Sequence, residues 1–98
     1  MIHIRWNQKM LATMRREGVT RTVVEAVLYE ADAYFYDRET DHRIAVKHMP
    51  YKGQERDVCV PYDITEGMPD PVSIHPKRPG ECERYIRSGR WIPHERGF

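Results

Sequence analysis

Residues 33–62 limit the possible folds of this chain more than any other stretch. They read as three short strands separated by turn residues. Ala33-Tyr34-Phe35-Tyr36 is aromatic and strand-like, and Asp37 to Asp41 is a polar turn. From Arg43 to Met49 polarity alternates, with Ile44, Val46 and His48 on one face and Ala45, Lys47 and Met49 on the other. Pro50 closes that run, and Tyr51-Lys52-Gly53-Gln54 supplies a turn. Asp57 to Tyr62 then places Val58, Val60 and Tyr62 on one face and Asp57, Cys59 and Pro61 on the other. Pro61 predicts that this strand ends there or lies at an edge. Strands joined by such short turns pair as an antiparallel meander with helices covering one face.

The flanks supply those helices. Ile2, Ile4 and Trp6 alternate with His3 and Arg5, a short strand pattern. Asn7 is a good N-cap, and Met10, Leu11 and Met14 have the spacing of one buried helical face up to Glu17. Gly18 stops that helix. Thr20 caps a second helix with the stripe Val23, Val24, Val27 and Leu28, and the short turn between them predicts a helix hairpin. After the meander, Ile64 to Pro71 reads as a loop because of Gly67, Pro69 and Pro71. Val72-Ser73-Ile74-His75 reads as the last strand, Val72 and Ile74 inward and Ser73 and His75 on the opposite face. A closing helix follows Pro76 and a basic turn and ends at Gly89. Cys82, Tyr85 and Ile86 line one side of it, and Arg84 and Arg87 lie nearly opposite. Trp91-Ile92-Pro93 should fold back on the core and the last five residues fray. The expected fold is a single α+β domain over residues 1–98. An N-terminal helix hairpin packs on an antiparallel four- to five-stranded meander, with a closing C-terminal helix.

Composition excludes several classes. With 40% apolar and 32% charged residues the chain suits a folded protein rather than a disordered one. No apolar run approaches the roughly 20 residues of a membrane span. The first residues lack the apolar core of a signal peptide, so a cytoplasmic location is expected. Cys59 and Cys82 are the only cysteines and form no CxxC pair, so they are expected to be reduced. The net charge of +1 conceals a gradient: residues 1–30 carry +2, residues 31–71 carry −4 and residues 72–98 carry +3. Twelve of the sixteen cations are arginine, which suits bidentate contact with phosphate oxygens.

The basic third part holds the chemistry. His75 can take or give a proton near neutral pH. Arg84 and Arg87 can hold a phosphate, with Arg78 or Arg90 assisting, and Ser73 shares a strand face with His75. A proton carrier and phosphate-holding cations therefore lie close together in this part of the chain. The competing reading makes His75 a strand-end histidine bonded to backbone, and Arg84 and Arg87 a solvated face paired with Glu81 and Glu83. His48 falls with Ile44 and Val46 and reads as buried. His3 could join the site only if the first strand paired near the last, and His42 and His94 read as surface residues of a turn and a tail. The tyrosines read mainly as sheet core, with Tyr62 the best candidate to stack a base. The histidines and cysteines carry no zinc spacing and the glycines form no phosphate loop, so no metal or cofactor is expected.

The two ends of the chain resemble a known family. Trp6-Asn7 followed by Lys9, then Gly18-Val19-Thr20 and Glu25-Ala26, is similar to the opening of BrnT-type toxins. Glu83-Arg84-Tyr85 looks like the tail of that family, and the order of elements resembles small bacterial domains related to RelE. Arg16-Glu17 stands where those chains usually carry Lys-His, and Ile74-His75-Pro76 where they end a strand in Ser-Ala-Arg. The resemblance implies a small, metal-independent, RNA-cleaving toxin silenced by an antitoxin protein. The alternative is a non-catalytic module on the same scaffold. It would bind RNA or a protein through the basic ends, or form a homodimer through an exposed strand edge.

Overall fold

Asn7 begins the folded chain. Its Oδ1 accepts a hydrogen bond from the Met10 N–H at 2.7 Å, and α1 (Gln8–Glu17) follows. The structure, a computed structural model, describes residues 2–98. Gly18 closes α1 at φ 68°, a left-handed conformation that strains any residue with a Cβ. Thr20 caps α2 (Arg21–Tyr29) through its Oγ1 and the Val23 N–H. Met10 and Met14 of α1 and Val24, Val27 and Leu28 of α2 are all buried, as their spacing predicts.

Four strands form the meander: β1 (Ala33–Asp37), β2 (His42–Tyr51), β3 (Gln54–Thr65) and β4 (Met68–Pro71). Next, β5 (His75–Lys77) returns to β3 alongside β4. The closing helix α3 (Glu81–Arg87) then leads to β6 (Trp91–Pro93), which joins the free edge of β1. Every pairing among the described residues is antiparallel, so the fold is α+β around a six-stranded sheet. The extra strand is β6, whose partner β1 lies more than fifty residues away in sequence, a pairing that local pattern does not reveal.

Both sheet faces are covered, rather than one. Ala45, Val58, Val60 and Tyr62 meet α1 and α2. Phe35, Ile44, Val46 and Cys59 meet Cys82 of α3 and Trp91 of β6. The period-two assignment of faces in β2 and β3 holds. A second cover is needed because β2 is apolar in both parities, and an apolar sheet face must be buried against another element.

Four further expectations are corrected. Residues 2–6 form no strand; they dock through the Arg5 N–H to the Pro69 carbonyl at 3.0 Å and through the His3 backbone to Tyr29 Oη. The expected loop 64–71 is a hairpin, turned by Glu66 and Gly67 at φ 52° and 77°. Its prolines are compatible with a strand because the Pro69 carbonyl points outward to Arg5. The missing N–H groups of Pro69 and Pro71 therefore lie on the outer edge, where no ladder bond is lost. Val72-Ser73-Ile74 is a crossing segment, and the strand starts only at His75. Pro61 neither ends β3 nor sits at a sheet edge. Its carbonyl accepts from the Val72 N–H at 2.9 Å, in the gap between β4 and β5 where its own N–H is not needed.

The C-terminal residues do not fray. Tyr62 Oη donates to the Arg96 carbonyl at 2.8 Å, Arg43 Nη1 donates to the Glu95 carbonyl at 2.9 Å, and the Phe98 ring meets Tyr29 and Tyr62 edge-on. Cys59 and Cys82 are free and buried in one cluster, and burial pushes the Cys82 thiol up to about 11 and the Cys59 thiol to about 12. No helix among the described residues is long and apolar enough to cross a membrane.

Asn7 also ties α1 to the sheet. Its Nδ2 donates to Asp70 Oδ1 at 2.6 Å and to the Pro71 carbonyl at 3.0 Å. Aspartate caps a helix about as well as asparagine, but it has no donor and would set a second carboxylate against Asp70. Asn7→Asp is therefore expected to cost about 2–3 kcal/mol, the scale of hydrogen bonds to a charged group. Urea denaturation checks this, and wild-type stability in the variant would show that the clamp on β4 contributes nothing.

Candidate functional site

A cleft of about 610 Å³ opens on the sheet face that carries Ile44 and Cys59. Three pieces of chain wall it. From α1 come Lys9, Thr13 and Arg16, spaced four and three residues apart so that they align along one flank. That flank is set by Met10 and Met14, which turn the neighbouring face into the core. The crossing segment and β5 bring Ser73, His75 and Lys77, the turn before β2 brings Thr40, and His42 is the first residue of β2. Ile44, Cys59, Pro61 and Trp91 also line the cleft.

Strand register decides which side chains meet there. His75 stands opposite Cys59, so it shares that residue's face. His42 has the parity of Ile44, and its Nδ1 lies 2.8 Å from Asp63 Oδ1. A carboxylate can only accept, so His42 Nδ1–H is the donor and Nε2 is left free.

The electrostatics of His75 suit a base. Loss of water in the cleft, and then the ammonium of Lys77, hold its pKa below the ordinary histidine value of 6.5. The ring is thus neutral at pH 7 and able to accept a proton. Lys77 Nζ is 3.6 Å from Glu81 Oε2. Glu81 also accepts from the Arg78 N–H and from Tyr85 Oη, bonds that hold its carboxyl below the usual range.

Arg90 lines the same cleft, but its donors are committed. Nε and Nη2 each lie 3.0 Å from an oxygen of Asp37, Nη1 is 3.5 Å from Glu39, and the guanidinium covers the Tyr85 ring at 4.5 Å. Asp37 is only 2% exposed. Burial works against its charge, but the bonds from Arg90 and from the Glu39 and Thr40 N–H groups outweigh burial and hold the carboxyl far below the usual range. Arg90 therefore braces β6 and α3 against β1 and has little left to offer a phosphate. Lys9 makes no ion pair among the described residues, and Arg16 has a loose contact of 3.8 Å with Glu17.

The structure brings together only part of the set singled out from sequence. Ser73 and His75 share the cleft. Arg84 and Arg87 do not: they are exposed on α3 and form no part of its wall, because Cys82 faces inward and turns them away. The side chain of Arg78 is also outside the wall. His48, expected to be buried, is exposed. β2 has by then run past Val46, its last residue in the apolar cluster on that face. Asp57 at 2.9 Å and Glu55 at 3.5 Å flank the His48 ring, and its hydrogen bond to Asp57 leads in raising its pKa. His3 bonds through its backbone to Tyr29, and the His94 ring lies tilted against Tyr36; neither lines the cleft. Tyr62, the favoured base-stacking residue, is fully buried and unavailable. Sequence reading passed over His42, Arg16 and Lys77 as site residues. The spacing of Lys9, Thr13 and Arg16 beside Met10 and Met14 was the usable signal.

No group of three or more His, Cys, Asp or Glu among the described residues is placed to hold a metal ion. Fold and cleft together define an α+β protein with a cationic groove bearing two histidines. The chain matches no family model, and no curated protein and no solved structure matches it.

Proposed function

We propose that the cleft binds and cleaves single-stranded RNA without a metal, as the ribonuclease toxin of a toxin–antitoxin pair of the BrnT/RelE kind. The observation that carries this reading is His75, kept neutral beside Lys77 and Ser73 in the cleft that also collects Lys9 and Arg16. His75 takes the proton of a ribose 2′-hydroxyl, the 2′-oxygen attacks phosphorus, and the bond to the 5′-oxygen breaks. The products are a 2′,3′-cyclic phosphate and a 5′-hydroxyl. Lys9, Arg16 and Lys77 stabilise the charge on the phosphorane, and Ser73 donates to a non-bridging oxygen. The similarity of Trp6-Asn7, Gly18-Val19-Thr20 and Glu83-Arg84-Tyr85 to the toxin family supports the same reading.

The test is incubation of the purified protein with single-stranded RNA and a chelator between pH 5 and 9. Cyclic phosphate ends should form, and a 2′-deoxy substitution at the cleaved position should block the cut. Intact RNA throughout would defeat the reading. Binding should also weaken with salt. Three phosphate contacts on a single strand give a log–log slope of about −2, and Lys77→Ala should reduce its magnitude by about 0.7. An unchanged slope would exclude Lys77 from phosphate contact.

One observation favours the alternative, a non-catalytic binding module. Pro69 and Pro71 close the β4 edge, whereas the β6 edge is uncovered, with Ile92 39% exposed and Ile86 of α3 41% exposed. Such an edge can pair with a protein partner or a second copy. Binding without turnover, kept in Ile92→Lys for RNA and lost for protein, is the outcome this reading expects.

A further inference from the structure

We propose that His42, positioned by Asp63, is the second proton-handling residue of the cleft and delivers the proton to the leaving 5′-oxygen. This rests on the reading of the cleft as RNA-cleaving and adds the half of the reaction that His75 cannot perform. Once His75 has accepted the 2′-proton, a different group must protonate the departing oxygen. Breaking the phosphorus–oxygen bond would otherwise release an alkoxide, a poor leaving group at neutral pH.

Three observations assign that role to His42. Its ring lines the same cleft as His75. Its Nδ1 is taken by Asp63 at 2.8 Å, which fixes the orientation and leaves Nε2 as the nitrogen that can carry the transferred proton. Asp63 balances the charge while both ring nitrogens are protonated, as carboxylate partners of catalytic histidines do. The nearby Asp37 cannot compete for the ring, because both its oxygens are bonded to Arg90.

Position on the sheet agrees. His75 pairs with Cys59 of β3, and His42 contacts Asp63 of the same strand, four residues further on. Strand geometry places the two backbones roughly 13 Å apart along β3 and two strands apart across it, about 16 Å in all before either ring reaches inward. The histidines thus approach the cleft from opposite ends. An in-line displacement needs this arrangement, since the attacking and leaving oxygens lie on opposite sides of phosphorus, and a single water can complete either proton transfer.

The proton balance closes. His42 Nε2 gives its proton to the 5′-oxygen as the bond to phosphorus breaks, and His75 holds the proton from the 2′-hydroxyl. Exchange with solvent restores both rings.

The experiment compares two RNAs of one sequence. The second carries sulfur in place of the 5′-oxygen at the position the wild type cleaves. A thiolate leaves without being protonated, so this substrate does not need the acid. His42→Ala should lower cleavage of the ordinary RNA by about 100-fold or more and leave the thio-substrate within about threefold of wild type. His75→Ala should lose both. Asp63→Asn should lower only the ordinary substrate, by a smaller factor, because it acts through the ring of His42; His42→Gln guards against a folding effect of the alanine. Equal loss on both substrates in His42→Ala, or no loss on either, overturns the role of His42 while wild-type cleavage keeps the RNA-cleaving reading. A wild type that cuts neither RNA overturns that reading, and the role of His42 with it.

Discussion

Arg90→Ala is expected to destabilise the fold by about 3–5 kcal/mol, the scale for removing one partner of a buried ion pair. For a chain of 98 residues that corresponds to a fall in melting temperature of well over 10 °C. The loss does not come from a surface salt bridge, which would contribute little. Asp37 is 2% exposed and has both oxygens bonded to the same guanidinium, so alanine at position 90 leaves a carboxylate in the interior with only the Glu39 and Thr40 N–H groups for company. The mechanical consequence extends further. Arg90 adds a side-chain tie to the β6–β1 ladder, and its backbone carbonyl also accepts from the Arg38 N–H at 2.8 Å. Loosening it would disturb Trp91 and the floor of the cleft.

The pH dependence gives this prediction its sign. In the wild type the folded pKa of Asp37 lies below its unfolded value of 3.8. Its contribution is therefore present above pH 3.8 and lost only as pH falls through the lower, folded value. In Arg90→Ala the carboxylate is buried without its partner, so the folded pKa moves above the unfolded one and protonation favours the native state. The gap between variant and wild type should narrow between pH 7 and pH 4. Asp37→Asn combined with Arg90→Ala should recover part of the loss at pH 7. Urea denaturation at the two pH values decides it. A loss under 1 kcal/mol, or an equal loss at both, would mean that Asp37 and Arg90 are not coupled as described.

Much of the scaffold was legible because its signals are local. Asn7, Gly18 and Thr20 mark helix ends through one-residue geometry, and the alternation of Val58, Val60 and Tyr62 against Asp57, Cys59 and Pro61 fixes faces within a single strand. Pro69 and Pro71 misled because a proline forbids a strand only when its missing N–H faces a neighbour, and here the neighbour's side is served by Met68 and Asp70. β6 was missed because three residues carry too little period to announce a strand whose partner is β1. Of the residues singled out from sequence, Ser73 and His75 line the cleft and Arg84 and Arg87 do not. His75 stands out as the histidine at the end of an expected strand and Ser73 by sharing its face, whereas Arg84 and Arg87 follow from proximity in sequence and helix period, neither of which says where α3 packs. The cleft cations that are not committed to Asp37 come instead from α1 and β5, brought there by the tertiary fold. His42 was passed over because a turn gives no period from which to read direction; its partner Asp63 lies on another strand.

On the proposed reaction, His75→Ala is expected to lower RNA cleavage by about 100- to 10,000-fold, the usual contribution of a positioned proton acceptor, while the fold stays intact. His75 belongs to neither apolar cluster, so truncating it opens no core cavity. The pH profile separates this from a charge effect. The folded pKa of His75 lies below 6.5, through burial first and Lys77 second. A base acts in its deprotonated form, so the acid limb of the wild-type rate profile should fall below pH 6.5. Lys77→Ala removes one cause of the depression and should move that limb toward 6.5. Stability carries the matching sign. The unfolded chain binds the proton at His75 more readily than the folded one, so the native state loses stability as pH falls through 6.5, until the folded value is passed. His75→Ala removes that cost and should be the more stable protein at pH 5 relative to its standing at pH 8. An acid limb above pH 6.5, or one unmoved by Lys77→Ala, would show that another group is the base. A variant that keeps wild-type turnover would remove His75 from the chemistry.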